Sequence, residues 1–321
     1  MTVKFGIQIE PQMGFEYKTV EKIALEAEKI GYDSIWSSDH FFLDAKSEDR
    51  NCMEAWTLIS ALAAVTKKIK LGTLVTCNSY RYPAVLAKIA ATVDMISNGR
   101  LIFGFGAGWK EMEYNAYGIP FPSTLDRLYQ MEEAIEIIKL LWTEPKVTYE
   151  GKYYQIKDAF SAPKPVQKPW PPIMIGGMGE KILLKMVAKH ADYCNFFLRP
   201  KLERSLEILK AHCKVVGRDY EEVGKSLFAV GIPIFVSKSE EEIEKYLKGI
   251  AERYKRPLEA IKKRITKDAP GSWVGFPEEV IERFEHLNSL GFDSYQVMFA
   301  GFDEKIIKYS QDFAELVMKK L

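Results

Sequence analysis

The chain has 321 residues, with 45 Lys+Arg against 44 Asp+Glu, a formal net charge of +1, and 47% hydrophobic and 12% aromatic residues. A near-neutral balance without an arginine-rich run argues against a general nucleic-acid binder, and no apolar run is long enough to cross a bilayer. Cys52, Cys77, Cys194 and Cys213 are far apart, with no Cys-x-x-Cys and no paired histidines, which argues against a zinc site or a disulfide framework.

The chain opens on a strand pattern, residues 3–9, rather than on a signal peptide, so a cytoplasmic protein is expected. Val20, Ile23, Ala24, Ala27 and Ile30 recur at helical spacing and predict a helix over 17–30, ended by Gly31. A short strand follows at 34–37, a helix at 54–66 and a strand at 69–76. Pro83 stands at the first turn of the next helix and Asn98-Gly99 ends it. A strand at 101–105 and a periodic helix at 124–142 come next. The rhythm then breaks. Residues 147–156 read as a hairpin turning at Glu150-Gly151, and five prolines between 163 and 172 stiffen a connection. Beyond it the pattern predicts strands at 173–175, 193–198, 227–236 and 294–299. Helices are expected at 179–190, 202–216, 239–250, 277–290 and 303–321. Residues 254–275 are basic and irregular and suggest an insertion or lid.

Strands separated by helices pair in parallel, and these strands are rich in Val, Ile and Phe, as strands covered on both faces should be. About eight such repeats fit an α/β (β/α)8 TIM barrel, with a doubly wound open sheet as the competitor. One barrel over 1–321 is expected, carrying a hairpin near 147–156 and an insertion or lid near 254–275.

A barrel of this kind gathers its chemistry at the carboxyl ends of its strands. Those ends carry Glu10; Asp39 and His40; Thr76 and Cys77; Ala107, Gly108 and Trp109; and Gly176, Gly177 and Met178. Polar, glycine-rich and aromatic together, they suit a flat cofactor with a phosphate. His40 is the first acid–base candidate, because His190, His212 and His286 all lie in helical runs. The alternative is that Asp39 caps the next segment and His40 packs on Phe41. Glu10 is a second acid or base candidate, or else the partner of a lysine in a neighbouring loop. Cys77 has no histidine or helix start beside it, which argues against a nucleophile. Residues 104–108 match a dinucleotide fingerprint loosely, since Trp109 takes the slot of its third glycine; close backbone approach to a planar ring is the better reading. Residues 175–179 precede a helix expected to start near Glu180, either a phosphate site or a plain turn between strand and helix.

The motifs as a set resemble the luciferase-like flavin and deazaflavin oxidoreductases. The resemblance rests on Ser38-Asp39-His40-Phe41, Leu71-Gly72-Thr73-Leu74-Val75, Asn98-Gly99-Arg100-Leu101, Gly106-Ala107-Gly108-Trp109, Glu113-Tyr114 and Ile175-Gly176-Gly177. It implies a TIM barrel and a tricyclic cofactor across its mouth, with the nearest likeness to the subgroup using the deazaflavin coenzyme F420 rather than FMN. It also implies a cis peptide at Leu74–Val75 supporting the ring, an Asp39-His40 pair facing the cofactor, and phosphate contacts at Gly176 and Gly177. Hydride transfer to or from a small organic substrate and a homodimer are expected. An FMN monooxygenase fed by a partner flavin reductase, or a non-catalytic flavin-binding protein, is the alternative. The sugar-phosphate dehydrogenases of the family carry a glutamate where this chain has Trp109. That departure argues against their activity and is expected to leave His40 short of proton-transfer partners, with Trp109 as a pocket wall and Glu113 either a source of a carboxylate or, as the better reading, part of the following helix.

Overall fold

The computed structural model describes residues 3–197, 202–228, 233–253, 255–264, 273–301 and 303–321. Eight parallel strands close into a (β/α)8 barrel: Lys4–Ile9, Ser34–Ser37, Lys70–Thr73 resumed as Thr76–Cys77, Leu101–Gly106, Ile173–Gly176, Tyr193–Phe197, Gly224–Phe228 and Ser294–Val297. The first strand pairs with the second and the eighth, so the sheet has no open edge there. The third strand is one strand in two pieces. Both pair with Leu101–Gly106, and the break falls at Leu74–Val75, whose peptide bond is cis as the resemblance implied.

Helices cover the outside. Tyr17–Ile30 buries Val20, Ile23, Ala24 and Ala27, and Gly31 ends it at φ 103° by donating its N–H to the carbonyl of Ala27. Pro83–Ser97 starts on its proline and ends at Asn98, also left-handed at φ 56°. Arg100 ties the ends of helices Ala55–Val65 and Pro83–Ser97 to the barrel. Its guanidinium donates to the carbonyls of Ala63, Thr66, Ile69 and Ser97 and to the Thr66 hydroxyl.

Inside the barrel, Trp36, Leu74, Ile102, Met174 and Phe228 form a compact apolar plug. Trp36 fits because two neighbouring strands present glycine to it. A Cβ on Gly6 would lie 2.6 Å from its Nε1, and one on Gly72 2.6 Å from its Cζ3. The glycine of the Leu71-Gly72-Thr73 motif is therefore a packing requirement.

Several expectations need correction. The helix read as starting near Glu180 begins at Leu183, because Glu180 to Ile182 form a turn first. The long strand read over 227–236 is two elements. Gly224–Phe228 belongs to the barrel, whereas Phe235–Val236 pairs with Val274–Gly275 in a small separate ribbon, and residues 229–232 lie outside the described residues. Of the expected irregular stretch 254–275, Leu258–Arg264 is helical, and its Ile261 packs with Leu247, Ile250 and Val274. Residues 254 and 265–272, like residue 198 of the expected sixth strand, lie outside the described residues. The hairpin is present as Val147–Glu150 and Gln155–Ala159. Glu133, on helix Thr124–Thr143, holds its turn by accepting the N–H groups of Lys152, Tyr153 and Tyr154.

Candidate functional site

The loop after the second strand and the short helix Glu111–Ala116 meet at one buried carboxylate. Glu113 is fully buried. Its Oε2 lies at hydrogen-bond distance from His40 Nδ1, 2.9 Å, and accepts from the Tyr80 hydroxyl at 2.7 Å. Its Oε1 accepts from the backbone N–H of Phe41 at 2.8 Å and of Phe42 at 3.2 Å, and from Lys110 Nζ at 3.2 Å. Burial pushes this carboxyl up, but the His40, Tyr80 and Phe41 bonds prevail and hold it at about 2. The expectation that Trp109 leaves His40 short of partners is overturned: the helix that contains Glu113 turns that residue inward, onto the imidazole.

The rings around this cluster fix the loop further. Phe41 stacks on Tyr80 and on Tyr117, with centroids 4.3 Å apart in both pairs. Trp109 is 71% exposed and stands edge-on to His40, centroids 5.7 Å apart. A cleft of about 440 Å³ opens beside the loop, lined by Phe41, Phe42, Arg50, Cys52 and Tyr117 among others.

Asp39 faces the other way. Its carboxylate takes both guanidinium nitrogens of Arg81, at 2.7 and 2.8 Å, and the N–H of Cys77 at 2.9 Å. Burial raises its pKa, and the Arg81 charge only partly offsets this. Arg81 also bonds Glu54, the residue that caps helix Ala55–Val65. Asp39 thus locks the end of the second strand to the resumed third strand.

Glu10 belongs to a separate chain of bonds. It accepts from the side-chain amides of Gln8, at 2.9 Å, and Gln12, and the Gln12 carbonyl in turn accepts from the Ser38 hydroxyl at 2.8 Å. Among the described residues no hydrogen bond joins Glu10 to His40. The lysine partner weighed for Glu10 gives way to two glutamines, a pairing that residues two positions away on one strand end make possible.

Leu74, Val75, Thr76 and Cys77 make the break and resumption of the third strand. The Val75 side chain lies over three glycines: a Cβ on Gly106 would sit 2.6 Å from its Cγ2, and one on Gly176 3.0 Å from its Cγ1, while Gly104 is crowded by the Thr73 carbonyl at 1.8 Å. The close approach to this glycine cluster thus comes from the neighbouring strand and Val75. Thr76 bonds Thr73 through their hydroxyls. Cys77 bonds the Tyr114 hydroxyl at 3.1 Å, and burial pushes its thiol up to about 12, far from a thiolate at neutral pH. Gly108 follows Ala107 at φ 77° and packs so closely on Tyr114 and Cys77 that a Cβ there would clash at 2.0 Å. Gly177 donates its N–H to the Asn195 carbonyl at 3.0 Å, and Met178 packs against the core.

These features fit a flat ring system with an anionic tail. Leu74 belongs to the apolar plug and Val75 packs on it, and the Gln8 side chain has a buried carbonyl oxygen with no partner among the described residues. Helix Leu183–His190, after Gly176 and Gly177, starts without a side-chain cap.

The model of the luciferase-like monooxygenase family matches residues 2–294. The chain belongs to that family. One luciferase-like relative, the F420-dependent glucose-6-phosphate dehydrogenase of Kineococcus radiotolerans, is 38% identical over 157 residues, 49% of this chain and 46% of that protein. The chain thus spans about half the length of the curated F420-dependent relatives it matches. The FMNH(2)-dependent dimethylsulfone monooxygenase of Pseudomonas putida is 24% identical across 97% of this chain and 90% of that protein. Among solved structures, an F420-dependent secondary alcohol dehydrogenase in complex with an F420-acetone adduct superposes with a TM-score of 0.78 at 22% identity, over 99% of this chain and 98% of that one. At that identity the likeness speaks for the shared barrel alone.

Sequence reasoning missed Tyr80, and it named Glu113 without pairing it to His40. Tyr80 follows a strand end by three positions and carried no motif. Glu113 sits in a helix of six residues, less than two turns, too short for periodicity to tell an inward side chain from an outward one.

Proposed function

We propose that this chain is an oxidoreductase that moves a hydride between coenzyme F420 and a small organic molecule. The observation that carries the reading is the His40 imidazole held by buried Glu113 at the strand ends, on a chain whose relatives include F420-dependent dehydrogenases. The deazaflavin, when bound, supplies or takes up the hydride. The protein's part is to place the ring and move the proton. Leu74, Val75, Thr76 and Cys77 would support the ring face. Asp39, braced by Arg81, Ala107 and Gly108 would frame its edge, and Trp109 would wall the substrate side. Gly176, Gly177 and Met178 would meet the phosphate. His40 would exchange a proton with the substrate, and Glu10 would serve as a second acid or base. A homodimer, as the resemblance implied, and a cytoplasmic location complete the reading; light scattering giving a monomer would refute the first of these.

The test is a pair of binding titrations with F420 and FMN. Tight F420 binding supports the reading. Tight FMN binding without F420 binding overturns it in favour of the second reading, an FMN-dependent monooxygenase fed by a flavin reductase. That second reading is favoured by the full-length likeness to the dimethylsulfone monooxygenase. Oxygen consumption with reduced FMN would support it, because a deazaflavin reacts poorly with oxygen. A protein that binds either cofactor but shows no turnover with any organic substrate would be the non-catalytic alternative.

A further inference from the structure

We infer that Glu113 is a positioning residue that sets the tautomer of His40, leaving Nε2 as the ring nitrogen that exchanges protons with a bound molecule. Five polar groups meet the Glu113 carboxylate: the Tyr80 hydroxyl, two backbone N–H groups and Lys110, which donate to it, and His40 Nδ1. The backbone amides and the ammonium can only donate, so the carboxylate is met as an acceptor on every side. An ionised carboxylate has no proton to give, so the hydrogen between it and Nδ1 belongs to the ring. Among the described residues Nε2 has no hydrogen-bond partner, and the His40 side chain is 21% exposed. Neutral His40 therefore presents a bare Nε2 lone pair, able to take a proton, and the imidazolium returns it from the same atom. The same carboxylate pins the Phe41 and Phe42 amides, so the loop bearing His40 and the orientation of its ring are set by one group. The logic is that of a base oriented by a buried carboxylate, here without a nucleophile attached. Its consequence for catalysis rests on the reading of His40 as the proton-exchanging residue; the tautomer itself does not.

The test is nitrogen NMR of the cofactor-free protein with labelled histidine, at a pH where the rings are neutral, with the His40 signal assigned by its loss in His40→Asn. In the wild type the protonated nitrogen is Nδ1. In Glu113→Gln the carboxamide keeps an oxygen for the Phe41 and Phe42 amides and turns its NH2 to His40, so the proton moves to Nε2. Tyr80→Phe removes a donor without touching the imidazole and keeps the proton on Nδ1. Wild-type His40 protonated on Nε2, or Glu113→Gln with the proton still on Nδ1, overturns the inference. Should Glu113→Gln fail to fold, the wild-type and Tyr80→Phe spectra decide. No cofactor is present, so a failed F420 titration overturns the functional reading and leaves this result standing.

Discussion

Glu113 Oε2 lies 2.9 Å from His40 Nδ1, although 73 residues separate the two along the chain. The bond joins the loop after the second strand to the helix after the fourth. It makes Glu113 a structural tie as well as a partner of the imidazole.

That tie predicts a pH dependence of stability. Folding lowers the Glu113 pKa from 4.5 to about 2. A carboxylate depressed by folding stabilises the protein above its unfolded pKa and loses that contribution as pH falls through the folded value. The contribution is thus present above pH 4.5 and fades down to about 2. It amounts to roughly 3 kcal/mol. Urea unfolding from pH 6 down to about pH 2 should show a steeper acid limb for the wild type than for Glu113→Gln. Parallel limbs would refute the assignment.

Gly72→Ala should destabilise the barrel without reaching the mouth. The new Cβ would lie 2.4 Å from the Ile102 carbonyl and 2.6 Å from Trp36, and backbone cannot swing aside as a flexible side chain can. Overpacking of this kind costs about 1–3 kcal/mol. Thermal unfolding should record a clear fall in Tm; an unchanged Tm would mean that Trp36 has room to move.

Asp39→Asn should cost more than a surface charge does. Arg81 would remain buried with Glu54 as its main anionic partner, and the Asp39–Arg81 pair has only 2% and 12% of its side-chain surface exposed. Breaking a buried pair by removing one partner costs on the order of 3–5 kcal/mol, and the retained Glu54 bond puts the expectation at the low end. Chemical denaturation measures this, and a loss below about 1 kcal/mol would show the pair to be marginal.

Trp109→Ala should separate stability from function. The indole is 71% exposed and touches His40 only edge-on, so stability should change by less than about 0.5 kcal/mol. Under the proposed function, F420 affinity should also hold within a few fold while turnover of a found substrate falls. Loss of folding instead would show that Trp109 serves packing.

The sequence by itself determined the alternation of strands and helices, and several bounds with it. Helices Tyr17–Ile30 and Leu202–Val216 and strand Ser34–Ser37 fall where periodicity and stop residues put them. Those signals are local: an apolar stripe, a capping glycine and a first-turn proline act within a few residues of chain. Strand ends followed from them, and so did the collection of Asp39, His40 and Cys77 at one mouth. Only the tertiary structure decided who pairs with whom there. Asp39 turned to Arg81, His40 to Glu113, Glu10 to two glutamines, and Val75 to a bed of glycines. It also cut the apolar run 227–236 into a barrel strand and a separate ribbon, since unbroken hydrophobicity says a segment is buried but not against which sheet. Partners in a closed barrel come from strands and loops far apart in the chain, and only closure of the barrel brings them within bonding distance.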